Sequence, residues 1–125
     1  MAYNILIVDD SSIVRAVIIK TLNLAGVAVD ELYQASNGEE ALQQMREHWV
    51  DLVFSDINMP VMSGVEMFNH MQADENLKNI PVVIVSTEGS KTRIDELTGL
   101  GIRAYIRKPF TPEALRDVVD GILGA

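Results

Sequence analysis

The chain contains no cysteine, so neither a disulfide bond nor a thiolate nucleophile is available to it. This absence is compatible with a reducing compartment. Basic residues are also few: the chain has 10 Lys and Arg and 18 Asp and Glu, which gives a net charge of -8. The acidic balance argues against nucleic acid as a direct ligand, since phosphate backbones are bound by basic patches.

Long apolar runs are missing as well. No stretch approaches the length of a membrane span, and no basic segment precedes the short apolar run near the amino terminus, as a secretory signal would require. We therefore expect a cytoplasmic protein without membrane insertion. Of the 125 residues, 48% are hydrophobic and 22% are charged, which is typical of one soluble globular domain.

Five short apolar runs alternate with five segments of helical periodicity. Strands are predicted over residues 5–8, 32–35, 52–55, 81–86 and 104–106. Helices are predicted over about 12–26, 39–49, 64–73 and 91–100, with a last helix from residue 112. This alternation predicts an α/β fold, a parallel sheet with helices on both faces. Without a linker or repeat, and with the chain ending just after the fifth helix, we expect one domain over 1–125 and no output domain.

The first helix is indicated by residues that recur at helical spacing: Ile13, Val14, Val17, Ile18, Thr21 and Leu22. Two expectations concern packing. Trp49 is expected to cover the core. His48 and His70 have no acidic or hydroxyl partner at motif spacing, so both are expected to be solvated helix residues.

Residues able to do chemistry follow four of the five predicted strands. They are Asp9 and Asp10 after the first, Asp56 after the third, Ser86 and Thr87 after the fourth, and Lys108 after the fifth. Because the carboxyl ends of parallel strands lie along one edge, where ligands bind, these side chains should meet there. The second strand carries no such group and is expected at the outer edge of the sheet.

Three carboxylates at one edge would repel one another. Two unit charges about 4 Å apart interact by roughly 4 kcal/mol at an effective dielectric near 20. A divalent cation relieves this repulsion, and Mg²⁺ prefers a few carboxylates together with water and phosphate oxygens. With a hydroxyl and an ammonium beside them, the carboxylates form the set that phosphoryl transfer requires.

These motifs resemble those of the receiver domains of two-component response regulators. They are Asp9-Asp10, the segment Asp56-Ile-Asn-Met-Pro-Val-Met-Ser-Gly64, Ser86, and Lys108-Pro109-Phe110. All four in this order, over nearly the whole chain, are highly specific, and the chain is most similar to the single-domain chemotaxis-type members. The resemblance implies a flavodoxin-like (βα)5 doubly wound fold with strand order 2-1-3-4-5.

The resemblance also implies the acceptor and its metal. Asp56 would take a phosphoryl group from the phosphohistidine of a sensor histidine kinase. Asp10 and Asp56 would bind Mg²⁺ with the backbone carbonyl of Asn58, and Asp9 would act largely through water. The protein's only catalysis would be on itself.

Further residues would contact or respond to the phosphoryl group. Lys108 and Ser86 would bind it, and Ser86 is preferred to Thr87 because it lies 22 residues before Lys108, which is the spacing in the family. Tyr105 would be the switching aromatic, although from the residues alone a half-buried strand aromatic is an equal interpretation. The Lys108–Pro109 bond would be cis.

Two consequences concern timing and output. Asn58 and Glu88 would tune hydrolysis by placing or blocking water, which favours a short-lived phosphorylated state. A downstream protein would bind the face formed by the fourth helix, fifth strand and fifth helix, where flagellar motor control, a relay and another effector all remain open.

Other classes fit less well. A Mg²⁺-dependent phosphatase with an aspartyl-phosphate intermediate usually carries its nucleophile after the first strand, with a second Asp two residues later, whereas Asp9 and Asp10 are adjacent. A nucleotide-binding flavodoxin-like domain would need a Gly-rich loop after the first strand. A degenerate receiver used only for docking would lack part of the site, but every member is present. A relay or adaptor receiver unconnected with chemotaxis remains an alternative.

Overall fold

The computed structural model describes residues 2–87 and 90–124. Its five parallel strands form one sheet in the order β2-β1-β3-β4-β5. The strands are β1 (Tyr3–Val8), β2 (Val29–Ala35), β3 (Leu52–Ser55), β4 (Val82–Ser86) and β5 (Ala104–Arg107). The flavodoxin-like fold and the edge position of the second strand are thereby confirmed.

A helix follows each strand. The helices are α1 (Ser12–Leu24), α2 (Gly38–Glu47), α3 (Gly64–Gln72), α4 (Lys91–Leu100) and α5 (Pro112–Leu123). Each begins after a side chain that accepts a backbone N–H of the first turn, supplied by Ser11, Asn37, Ser63, Ser90 and Thr111. In the described residues no helix combines the length and apolar character needed to span a bilayer.

The sheet separates two apolar layers. Successive residues of β1 alternate between them, because neighbouring side chains of a strand point to opposite faces. Leu6 and Val8 pack with the buried residues of α2, α3 and α4, whereas Ile5 and Ile7 pack with those of α1 and α5. Helices therefore cover both faces of the sheet, as predicted.

Only some of the residues at helical spacing in α1 are buried. Ile18 and Leu22 are buried, but Ile13 is 76% exposed and Val17 is 51% exposed. A helix lying on a sheet buries one stripe, and here the stripe through Val14, Ile18 and Leu22 contacts the core. Ile13 and Val17 lie on a neighbouring stripe that faces solvent.

The end of α2 also differs from the prediction. The helix stops at Glu47, and His48 is its C-cap, exposed but stacked on Tyr33 with ring centroids 4.3 Å apart. Trp49 does not cover the core, since it is 78% exposed and its indole N–H donates to Asp51. Val50 fills the core position next to it.

Candidate functional site

Three carboxylates converge at the carboxyl edge of the sheet. Asp9, Asp10 and Asp56 each offer an oxygen, and these oxygens all lie within 4.8 Å of one another. The cause is the register of β1 and β3, in which Val8 pairs with Ser55. The residues that follow these two therefore leave the sheet side by side. We call these three residues the acidic cluster.

Asp9 is the buried member of the acidic cluster, and both of its carboxylate oxygens have partners. The backbone N–H of Ser11 donates to Oδ1 at 2.9 Å, and the ammonium of Lys108 donates to Oδ2 at 3.3 Å. The guanidinium of Arg15 donates to the Asp9 carbonyl, and Arg15 Nε also donates to Gln34 at 2.9 Å. These contacts fix the loop that follows β1.

Asp56 is half-buried, and its oxygen Oδ1 accepts the backbone N–H of Ile57 at 2.8 Å. Burial raises the pKa of the Asp56 carboxyl, while the Lys108 ammonium and the Ile57 hydrogen bond oppose the rise. The charges of Asp9 and Asp10 raise the pKa further. A cation placed among the three carboxylates would therefore stabilise the ionised form of Asp56.

The remaining predicted residues lie along the same edge. Ser86 ends β4 and is buried, whereas Thr87 is exposed. Ser86 and Lys108 are neighbours, because the backbone N–H of Lys108 donates to the Ser86 carbonyl at 2.9 Å. The Lys108–Pro109 bond is cis, as predicted. Glu88 lies outside the described residues, so its predicted role stays a prediction.

Tyr105 belongs to β5 and packs against the apolar layer that contains Leu97. Its hydroxyl is buried and has no hydrogen-bond partner within residues 2–87 and 90–124. A buried hydroxyl without a partner carries a desolvation cost, so a rearrangement that gives it one would be favoured. The predicted switching role of Tyr105 remains a prediction.

The loop after β3 carries Asn58, which is exposed. Its course is fixed by two glycines, since Gly64 N–H donates to the Ile57 carbonyl at 2.8 Å and Gly38 N–H donates to the Met62 carbonyl at 3.0 Å. A Cβ added to Gly64 would lie 2.2 Å from the carbonyl oxygen of Asp56. The backbone of α3 can approach Asp56 this closely because residue 64 has no side chain.

Sequence reasoning missed two contributions. Arg15 has no motif of its own, and its contact with Asp9 depends on how α1 leaves the sheet. Gly64 belongs to a recognised motif, but the steric reason for a glycine there is visible only in the packing of α3 against Asp56.

Comparisons with known proteins agree with this geometry. The chain matches the response regulator receiver domain family over residues 5–120. It is 34% identical to chemotaxis protein CheY1 of Helicobacter pylori, with 96% of each chain covered. The structure is similar to chemotaxis response regulator CheY4 of Vibrio cholerae, with a TM-score of 0.84, 32% identity and coverage of 98% and 99%.

A third relative is CheY in the CheX-CheY-BeF3-Mg²⁺ complex of Borrelia burgdorferi, with a TM-score of 0.86. The two chains are 25% identical over 97% of this chain and 89% of the other. The match to the family covers well over half of the sequence. This chain therefore belongs to the response regulator receiver domain family, and it is a signalling protein whose switch depends on phosphorylation.

Proposed function

We propose that Asp56 accepts the phosphoryl group on which this two-component switch depends. The observation that carries the proposal is the acidic cluster itself, with three carboxylate oxygens within 4.8 Å of one another and the Lys108 ammonium beside them. Asp9 already has partners for both oxygens, and Asp10 is exposed, two residues before α1. Asp56 lies at the end of a central strand, so it is the best-placed nucleophile of the three.

The acidic cluster fits Mg²⁺. Its donors are hard oxygens at a spacing that one ion can bridge, and the exposed side of the cluster leaves room for water and phosphoryl oxygens. Asp10, Asp56 and the Asn58 carbonyl would hold the metal, and Asp9 would contribute through water because its oxygens are engaged. When bound, Mg²⁺ neutralises negative charge on the carboxylates and on the phosphoryl oxygens.

In the transfer step a carboxylate oxygen of Asp56 attacks the phosphorus of a phosphohistidine. A P–O bond forms, the P–N bond breaks, and the electron pair of that bond stays on the imidazole. Lys108 can exchange its contact with Asp9 for a phosphoryl oxygen, and the Ser86 hydroxyl can donate to another. When water attacks the same phosphorus, a new P–O bond forms, the P–O bond to Asp56 breaks, and inorganic phosphate leaves with the free Asp56 carboxylate restored. Asn58 and Glu88 tune the rate of this step.

The phosphodonor is proposed to be a sensor histidine kinase in the cytoplasm. The donor must place its histidine above Asp56, and α1, which starts two residues after Asp10, carries exposed apolar side chains. Ile13, Val17 and Leu24 are all exposed there, at spacings that align them on one stripe. Ile13→Gln should slow transfer from a phosphorylated kinase while transfer from acetyl phosphate stays unchanged.

Output is proposed to use the face formed by α4, β5 and α5. A phosphoryl group adds about -1.5 to -2 charge and three acceptor oxygens, which draw Ser86 and Lys108 toward Asp56. Tyr105, on β5, would then change position and alter that face for a downstream protein. If chemical shifts across the face stayed fixed on adding Mg²⁺ and beryllofluoride, this part of the proposal would be wrong.

The relatives that are named chemotaxis proteins support chemotaxis as the pathway. Flagellar motor control is the output that we propose for it. A relay receiver is the alternative, and it would pass its phosphoryl group to a histidine on another protein.

The acceptor is tested by intact mass after incubation with acetyl phosphate and Mg²⁺. The native chain should gain one phosphoryl group, and Asp56→Asn should gain none. A mass gain in Asp56→Asn equal to that of the native chain would assign the acceptor elsewhere. Turnover of a phosphate-ester substrate with release of phosphate would instead favour the phosphatase alternative.

A further inference from the structure

An open cavity of about 360 Å³ lies at the amino-terminal edge of the sheet, opposite the acidic cluster. It is formed by the loop from α2 to β3, which carries Trp49 and Asp51, and by the loop from α3 to β4, which carries Asn76 and Asn79. Asp51 precedes β3 and Asp56 follows it, so their α-carbons are about 16 Å apart along one strand. We call this space the Trp49 cavity.

The single tryptophan of the chain lines this cavity while 78% exposed, yet it is held in place. Its indole N–H donates to Asp51 Oδ1 at 3.0 Å, and its carbonyl accepts from the side-chain amide of Asn4 at 2.9 Å. The backbone N–H of Asn4 donates to Asp51 Oδ2 at 2.8 Å. An aromatic ring and a carboxylate are therefore fixed beside each other at the surface.

A second cavity of about 510 Å³ adjoins the first. The two cavities share Met45, His48, Trp49 and Asn76. In the described part of the chain, the charged residues that line them are Arg46, Glu47, Asp51 and Asp74. Arg46 lies 4.0 Å from Asp74, so the remaining charge is negative. This surface therefore favours a cationic ligand.

We propose that the Trp49 cavity binds an arginine side chain of a protein partner. A guanidinium stacks on an aromatic face and pairs with a carboxylate through parallel N–H groups, which suits the fixed pair of Trp49 and Asp51. Each oxygen of Asp51 can accept a second hydrogen bond beyond those from Asn4 and Trp49. The apolar lining from Ile80 and Pro81 can receive an apolar residue next to the arginine. The overall charge of -8 would attract such a basic segment.

Two peptides test the proposal on the native chain. One is acetyl-Leu-Arg-Leu-amide, and the other carries citrulline in place of arginine, so that a neutral urea replaces the guanidinium at nearly the same size. Binding is followed by Trp49 fluorescence and by the ¹H–¹⁵N resonances of the Trp49 indole and the Asp51 amide. The arginine peptide should shift these signals saturably and bind about tenfold more tightly than the citrulline peptide.

Matched variants locate the site. Asp51→Asn removes the charge but keeps an oxygen for one of the two native N–H donors. It should lower the affinity for the arginine peptide about tenfold. Asp117→Asn makes the same charge change on the exposed side of α5 and should leave the affinity unchanged. Asp56→Asn should bind the arginine peptide with the affinity of the native chain, because Asp56 lies at the opposite edge of the sheet. The peptide result is therefore independent of whether Asp56 accepts a phosphoryl group.

Three outcomes would overturn the inference. They are equal binding of the two peptides, unchanged affinity in a folded Asp51→Asn, and shifts that centre on the acidic cluster and leave Trp49 unaffected. If Asp51→Asn does not fold, the comparison of arginine with citrulline on the native chain decides the question.

Discussion

Lys108 and Asp9, which are 99 residues apart in the chain, form an ion pair of 3.3 Å across the carboxyl edge of the sheet. The Asp9 side chain is 3% exposed and that of Lys108 is 19% exposed. Because β3 and β4 separate β1 from β5, this contact crosses the carboxyl ends of those two strands. The ammonium therefore offsets part of the repulsion among the three carboxylates.

Lys108→Met should lower the free energy of unfolding by about 3 kcal/mol without Mg²⁺, because a buried carboxylate loses its counter-charge. Mg²⁺ should restore much of this loss by binding the same carboxylates. Urea unfolding with Mg²⁺ and with a chelator measures both effects. The control is Lys20→Met on the exposed side of α1, which should change the free energy by less than about 0.5 kcal/mol. Equal losses in the two variants would show that the ion pair does not stabilise the edge.

Gly64→Ala should destabilise the chain by about 2–3 kcal/mol, because the new Cβ would lie 2.2 Å from a backbone oxygen of Asp56 that cannot move aside alone. Phosphorylation by acetyl phosphate should slow with it, since Asp56 shifts. Gly99→Ala is the matched control in α4, where an added Cβ meets nothing within 4 Å. That variant should gain about 0.5–1 kcal/mol from helix propensity. Equal effects of the two substitutions on thermal unfolding would contradict the steric account.

The pKa of Asp56 predicts how stability depends on pH without metal. Burial raises that pKa above its ordinary value of 3.8, so the folded chain holds this proton more tightly than the unfolded chain. The contribution of Asp56 to the free energy of unfolding is therefore most favourable below pH 3.8, and it is lost as the pH rises through the raised pKa. Asp56→Asn should be more stable than the native chain at neutral pH, and the difference should shrink as the pH falls toward 3.8.

This pH dependence is measured by urea unfolding in a chelator at about pH 7 and about pH 4. Asp117→Asn, on the exposed side of α5, is the control for a general charge effect. A stability gain in Asp56→Asn that is the same at both pH values would contradict the assignment of the raised pKa.

The positions of the strands and of the acids along the chain could be predicted because both depend on local patterns, whereas the order of the strands in the sheet came from the resemblance to receiver domains. Apolar runs that end in Asp9, Asp56 or Ser86 are visible in the sequence, and the topology of parallel sheets brings their ends to one edge. The buried face of α1 could not be predicted in the same way. The stripe through Ile13 and Val17 and the stripe through Val14, Ile18 and Leu22 both satisfy helical spacing, and the position of α5 decides between them.

The exposure of Trp49 shows a second limit. Hydrophobicity predicts that an indole covers the core, but its N–H needs a partner and finds Asp51 at the surface. The contact of Arg15 with the Asp9 carbonyl is a third case, since it depends on the angle at which α1 leaves β1.

The account depends on Asp56 as the residue that carries the phosphoryl group. Sodium borohydride reduces an acyl phosphate to an alcohol, so a phosphorylated aspartate becomes homoserine, which peptide mass spectrometry can locate. After treatment with acetyl phosphate and Mg²⁺, homoserine should be found at position 56, and omission of Mg²⁺ should reduce its amount strongly. Homoserine at position 9 or 10, or none in a fully folded chain, would contradict the account.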